Sequence, residues 1–498
     1  MQQAALVLLL QCLAASQVCA TSASSPAALL FPRHAHHDDT PPDPTVPIDS
    51  ALWAHMDIQM LCWGVLFPVG MVLGMTRSKW HVPWQSATTL ITLAGFQLGH
   101  HHGGRRFYHT AHGSFAHFCF WFMLLQVGLG IFCKLHIYED TIRPPIAKVH
   151  GICGKLFPVI SWTQIVFGMI TVAGFCFDHP GDHLGQCLAH HIMGSSFQAY
   201  GIALLLMARY GSGWLKRKEI SQEWLDSIMI TCWGVFNTFT EHDFLHKRGV
   251  WSHKDMQHTS LGVIWWAGGA LGIWLGRNRR RNVLPALIIA VTGFAMSAHE
   301  QSTMLSTKVH QIFGAALISA GLCRIVEICF VMKEDHGAED GHMTAFQHLS
   351  PLLLVISGMM FQSANEEQLQ FIESIHMDHV TYALLVFSGA FVLYLYVNLL
   401  MALWENSGKN APDGGSPLPS FAMFRGSSRS NKPEGNGYLP VPLSRQDPGH
   451  IALHSPMTPR TADSARTRQS DATEEEEEEQ VELTDAYWAD HETSQTPR

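Results

Sequence analysis

Between residues 51 and 405 the sequence is a succession of apolar runs of about 20 residues, the length a helix needs to cross about 30 Å of hydrocarbon. Eleven spans are expected, near 57–76, 83–100, 113–133, 152–176, 188–208, 224–240, 257–276, 282–300, 308–332, 344–363 and 379–404. The fold class that follows is all-α, a polytopic helical membrane protein. Charged residues make up only 15% of the chain, against about a quarter in soluble domains. The run of six glutamates at 474–479 takes up part of that small share. Membrane lipids are expected partners; nucleic acid is not.

The ends differ from the middle. Residues 1–20 read as a signal peptide, with AALVLLL as apolar core and Val18-Cys19-Ala20 as cleavage site. Residues 21–50 then form a disordered lumenal segment, and 406–498, rich in Pro, Ser and Gly and then acidic, a disordered cytosolic tail. The stretch around 209–223 separates a first helical half, 51–210, from a second, 211–405. Positive residues orient the chain. Arg77 and Lys79, then Lys134, Arg143 and Lys148, then Lys216 to Lys218, then Arg277 and Arg279 to Arg281 fall in loops that are cytosolic if the N-terminus is outside. Arg105-Arg106 and Lys247-Arg248 oppose this, and the balance favours a lumenal or external N-terminus in a secretory-pathway or plasma membrane. Cys176 and Cys187 bracket a short loop on the oxidising side, where they stand either as thiols or as a disulfide.

The chain has 31 histidines, the commonest metal ligand among side chains. Four of them, His55, His81, His112 and His150, stand at or near the starts of the first four spans. In antiparallel helices, His55 then shares one leaflet with His112, and His81 shares the other with His150. Haem iron takes axial ligands from opposite faces of its macrocycle, commonly histidine. Two cross-helix pairs therefore suit two b-type haems in series. In the third and fourth spans a glutamine, Gln126 and Gln164, follows the histidine by 14 residues. That is about four turns and about 21 Å, so each glutamine is expected beside the other pair. Gln85 follows His81 by four residues, and Gly154 lies one turn after His150, where a macrocycle could approach the backbone.

The stretch His55 to Gly168 resembles the four-helix core of the cytochrome b-561 family. The resemblance rests on His55 with Met60 and Trp63-Gly64, on Pro68 and Gly70, on His81 with Gln85, on His112 with Gln126, and on His150 with Gly154. It implies two haems, each held by two of these histidines, carrying electrons across the membrane from a small-molecule or protein donor to an acceptor such as ferric iron. A transmembrane reductase is the enzyme reading of that implication. Two departures stand out: Met60 follows His55 by five residues rather than four, and Pro83 lies two residues after His81. Most of 50–405 also resembles a fungal family of uncharacterised membrane proteins, the Ytp-one-like family.

A second constellation competes. His100-His101-His102 and His109 crowd the turn before His112, with Arg105 and Arg106 beside them. Imidazole clusters suit zinc, copper and iron, and the two arginines could instead neutralise haem propionates. The alternatives to a di-haem carrier are thus a haem-free, histidine-rich transporter or sensor of metal or protons, or a structural membrane protein with interfacial histidines. In the second half His258 precedes Gly262 by four residues, and His310 precedes Gly314 likewise. A second metal or redox module and ordinary packing are both open there. No nucleotide- or flavin-binding loop is recognisable.

Overall fold

The computed structural model describes residues 46–107, 110–176, 183–240, 253–298, 301–331 and 343–411, and among them there is no strand. The signal-peptide assignment, most of the expected lumenal segment, His109 and the tail beyond 411 lie outside the described residues. Contacts divide the chain into Met1–Ser427, which holds every described residue, and Ser428–Arg498.

The helices, in order, are α1 Ser50–Met75, α2 His81–His100, α3 Ala111–Leu135, α4 Arg143–Ala173, α5 His183–Tyr210, the short α6 Ser212–Lys218, α7 Gln222–Thr240, α8 His253–Leu275 and α9 Leu284–Ser297. Then come α10 Met304–Val331, α11 Leu349–Gln362, α12 Glu366–Ser374 and α13 His379–Glu405. A helix lies in each of the eleven expected stretches. Among the described residues six helices are long and apolar enough to cross a membrane by length and composition: α1, α3, α4, α10, α13 and the Gln186–Tyr210 part of α5. The bundle turns large apolar side chains outward, among them Leu90, Trp121, Phe239 and Phe330, each at least 66% exposed. A lipid surround satisfies such a surface, whereas water does not.

Two features of the N-terminal helices bear on the site. α2 begins at His81 itself, so Pro83 is the third helical residue. No intrahelical partner is lost there, because the first N–H groups of a helix have none. α1 contains one wide turn at Cys62–Leu66, where Phe67 N–H donates to Cys62 O, five residues back. Pro68, which has no N–H to donate, follows at once. Carbonyls around this turn accept from side chains of other helices: Val65 O from Tyr396 Oη at 2.8 Å, and Leu66 O from Trp84 Nε1 at 2.8 Å. The wide turn lengthens α1 by one residue relative to a regular helix.

The buried residues form two main cores. One joins Cys62, Trp63 and Phe67 of α1 to Cys119 and Met123 of α3 and Phe157, Ile165 and Met169 of α4. The larger one joins α5 to α9, α10, α11 and α13, around Leu205, Val309, Phe313, Met359 and Tyr382. α5, assigned to the first half by sequence, buries Phe197, Leu204 and Leu205 in the second core. Its close packing on α11 explains why, since Gly194, Gly201 and Gly358 let the two backbones approach. Cys176 and Cys187 are joined as a disulfide across the preceding loop.

Candidate functional site

The four helix-start histidines meet in two pairs. His55 of α1 and His112 of α3 have ring centres 6.5 Å apart and planes at 82°. His81 of α2 and His150 of α4 stand 6.2 Å apart at 73°. Two imidazoles bound head-on to one metal ion, with metal–nitrogen bonds of about 2.0 Å, would have ring centres about 6.3 Å apart. Both pairs lie within a few tenths of an ångström of that separation.

Neighbouring helices bond the rings of His55, His81 and His112 and the backbone carbonyl of His150. His55 Nδ1 lies 2.7 Å from Gly95 O of α2, and His81 Nδ1 lies 2.8 Å from Gly70 O of α1. Carbonyls only accept, so Nδ1 carries the proton and Nε2 is the lone-pair nitrogen, the atom a metal would take. On the other two helices glutamines take this place. Gln164 Nε2 of α4 lies 3.0 Å from His112 Nδ1 and donates to His112 O at 3.2 Å. Gln126 Nε2 of α3 donates to His150 O at 2.9 Å. Each glutamine therefore serves the pair at the far end from its own helix's histidine. His150 Nδ1 and the Oε1 atoms of Gln126 and Gln164 are buried without a hydrogen-bond partner. Gln85 bonds Phe67 O weakly, at 3.4 Å, and fills the space beside Gly70.

Glycine makes room for each imidazole. A Cβ at Gly99 would sit 2.5 Å from His55, at Gly74 2.8 Å from His81, at Gly168 3.1 Å from His112, and at Gly130 3.2 Å from His150. The spacing is regular. Gly99, Gly130 and Gly168 follow His81, His112 and His150 by 18 residues, while Gly74 follows His55 by 19. Eighteen residues is five turns, so the glycine lies on the histidine's face at the other end of the helix. The groups that contact the partner rings sit one turn earlier. Gly95, Gln126 and Gln164 are at 14, and Gly70 is at 15. The extra residue in α1 at both positions is the wide turn at Cys62–Leu66. α1 and α2 thus exchange orienting carbonyls and glycine notches, and α3 and α4 exchange glutamines and notches.

A cavity of about 310 Å³ opens beside His55 and His112, lined also by Trp63, Phe120, Met123 and Gln164. Trp63 stacks on Phe157 at 5.0 Å with planes 5° apart, and Phe67 packs on both. The chemistry of this donor set fits haem: two imidazole pairs, small residues at the ring edges, an apolar cavity and no acidic ligand.

Other expected residues fall elsewhere. The empty side of Gly154 faces the Gln126 amide at 3.1 Å. Arg105 Nε donates to Val46 O at 2.8 Å and its N–H to Pro47 O, which ties the α2–α3 loop to the chain before α1; Arg106 is exposed. His100 and His101 are exposed, with Nδ1 bonded to Phe96 O and Gln97 O of their own helix at 3.0 Å. His102 lines the cavity. Burial pushes its pKa down, and the Asp49 carboxylate opposes the shift. Among the described residues the one group of three ligand atoms within 4.8 Å is Cys176, Cys187 and His191, and its two sulfurs are already joined to each other. Sequence reasoning assigned no part to Gly74, Gly99, Gly130 or Gly168; the recurring 18-residue interval was the available signal.

The fold and these pairs define a polytopic helical membrane protein with histidines paired between its N-terminal helices. The chain is similar to the YTP1-like family: residues 160–405 match the model described as "Protein YTP1-like, C-terminal", and residues 35–136 match a domain of unknown function (DUF2427). It is 41% identical over 254 residues to Protein YTP1 of Saccharomyces cerevisiae, covering 51% of this chain and 53% of that protein. It is 22% identical over 473 residues to an uncharacterized membrane protein of Schizosaccharomyces pombe, covering 69% and 90%, and 24% identical over 282 residues to one of S. cerevisiae, covering 46% and 44%. The chain thus spans about half the length of the first of these relatives. No solved structure matches.

Proposed function

We propose that this protein is a transmembrane electron carrier that holds two b-type haems, one between His55 and His112 and one between His81 and His150. The reciprocal pattern carries the reading: four rings in two facing pairs, each with a glycine notch opposite it and each histidine bonded, through its ring or its backbone carbonyl, by a neighbouring helix one turn from that notch. Packing alone gives no reason for one interval on three helices and the same interval plus the wide turn's extra residue on the fourth. Haem, when bound, supplies reversible one-electron chemistry. The chain's own residues orient and insulate. Gly95 and Gly70 carbonyls hold the Nδ1 protons of His55 and His81, so that Nε2 of each is the ligand nitrogen. The Trp63–Phe157 stack keeps the middle of the bundle apolar. The cytochrome b-561 resemblance of His55 to Gly168 agrees with this reading and supplies its direction, from a cytosolic donor to a lumenal or external acceptor. Positive loops on the proposed cytosolic side, including Arg77 and Lys79, suit an anionic donor.

The test is a reduced-minus-oxidised visible spectrum of purified, haem-supplied full chain, wild type beside His112→Ala. A sharp b-type α-band that loses about half its intensity in the variant is the expected result. A full band unaffected by the variant would discard the pairing, and well-folded wild type without haem would discard the function.

A further inference from the structure

The disulfide between α4 and α5 has an imidazole against it. Cys187 and His191 lie four residues apart on α5, one turn along one face of the helix. Cys176 follows α4, and its N–H donates to Glu367 Oε2 of α12 at 2.6 Å, which ties its backbone in place. The two sulfurs and a ring nitrogen of His191 all lie within 4.8 Å of one another. Cys187 and His191 are only 2% and 3% exposed. The protein barely engages the His191 ring. Its Nε2 is buried with no hydrogen-bond partner, and its Nδ1 has one long contact, 3.4 Å from Gln362 Nε2. Leaving a buried polar atom unpaired costs stability, and a disulfide that only staples α4 to α5 gives no reason for it. His190, the next residue, meets His310 of α10 instead, with ring centres 6.0 Å apart.

From this geometry we infer that Cys176, Cys187 and His191 form a zinc site that opens when their disulfide is reduced. Two equivalents of a small thiol, or one of a dithiol, give two electrons and two protons to the disulfide and leave as a disulfide themselves. Cys176 and Cys187 become thiols, and Zn²⁺ displaces both thiol protons to bind two thiolates and one neutral imidazole nitrogen. Distances permit this. With Zn–S bonds of about 2.3 Å and a Zn–N bond of about 2.0 Å at tetrahedral angles, the sulfurs stand about 3.8 Å apart and each about 3.6 Å from the nitrogen. Rotation about the two Cα–Cβ bonds parts the sulfurs while the Cα atoms stay 5.5 Å apart. The ring nitrogen, at most 4.8 Å from either sulfur, closes by no more than about 1.2 Å. Charge permits it as well, since two thiolates cancel the two positive charges of the ion and leave a neutral buried site. Thiolate with imidazole suits zinc, whereas magnesium and calcium prefer oxygen. Among the described residues no fourth His, Cys, Asp or Glu joins the group, so one coordination position is left for water or an exchangeable ligand. Reoxidation to the disulfide takes away both thiolates and releases the ion. The site shares no residue with the two N-terminal histidine pairs and does not depend on haem.

The experiment uses the full chain in detergent, reduced with a phosphine and then freed of phosphine and metal without air, beside the same preparation left oxidised. The other described cysteines, Cys62, Cys119, Cys133, Cys153, Cys232, Cys323 and Cys329, are free in both, so the difference between the two reports this site. ZnCl₂ is titrated against a chromogenic zinc chelator. The reduced protein is expected to bind one equivalent more than the oxidised protein, and in reduced His191→Ala the affinity for that equivalent should fall by at least about tenfold. Cobalt(II) in place of zinc gives a readout that needs no variant to fold: thiolate-to-cobalt charge-transfer absorption is expected on reduction of the wild type and should vanish on reoxidation. Equal zinc uptake by reduced and oxidised protein would overturn the inference. So would an extra equivalent bound without that absorption, or one held as tightly by a His191→Ala protein whose disulfide still forms on oxidation.

Discussion

Adding one methyl group at Gly99 tests whether the histidine rings are held as the structure has them. In Gly99→Ala the new Cβ would stand 2.5 Å from His55 Nδ1 and 2.6 Å from Cε1, where ordinary contact begins at 3.4 Å. The ring must therefore retreat by about 1 Å. It cannot do so and keep the 2.7 Å bond from Nδ1 to Gly95 O, which lies one turn earlier on the same helix. Overpacking costs about 1–3 kcal/mol and the lost hydrogen bond about 1 kcal/mol, while alanine in a helix returns up to about 1 kcal/mol over glycine. The sum is a destabilisation of about 1–3 kcal/mol. Gly168→Ala is the control from the same pair. Its Cβ would stand 3.1 Å from His112, so a shift of a few tenths of an ångström suffices and helix propensity offsets it. Thermal midpoints in one detergent at one scan rate should fall for Gly99→Ala and stay within about a degree for Gly168→Ala. Haem absorbance should fall by about half in the first and little in the second. Equal midpoints and equal spectra would refute the reasoning, because the His55 ring would then be free to move.

Three further outcomes follow. Arg324, itself buried, bonds Glu327 Oε2 at 2.8 Å and Glu223 Oε1 at 3.2 Å, so Arg324→Met, which takes the guanidinium from two buried carboxylates and leaves Glu223 only Arg281 at 3.7 Å, should cost about 3–5 kcal/mol, whereas a triple variant with Glu223→Gln and Glu327→Gln should recover most of it; chemical or thermal denaturation of the three proteins checks this. Reducing the Cys176–Cys187 disulfide, which closes a loop with a sequence separation of 11, should lower stability by about 3 kcal/mol, and Cys176→Ser should match the reduced wild type. Asp378 caps α13, and the Thr381 hydroxyl together with the Thr381 and Val380 N–H groups holds its carboxyl below the usual range. A lowered carboxylate contributes stability that is present above its unfolded pKa of about 3.9 and is lost as pH falls through the folded value. Melting of wild type against Asp378→Asn should therefore show a constant difference above about pH 5 that shrinks below about pH 4.

Much of this protein was legible along the chain. Apolar runs of membrane-spanning length specify helices wherever they occur, because a lone span satisfies its own backbone. The intervals from His112 to Gln126 and from His150 to Gln164 are likewise local, since a helix of 3.6 residues per turn puts them on one face whatever it packs against. What these faces meet is not local. That Gly99 notches His55, and Gly74 His81, depends on α1 packing on α2, and only the wide turn at Cys62–Leu66 explains why α1 counts 15 and 19 where α2 counts 14 and 18. The same limit hid the allegiance of α5 and the meeting of His190 with His310, which are 120 residues apart. In lipid the face a helix turns to its neighbours is about as apolar as the face it turns outward, so hydropathy marks that a helix spans and leaves its partners to close packing in three dimensions.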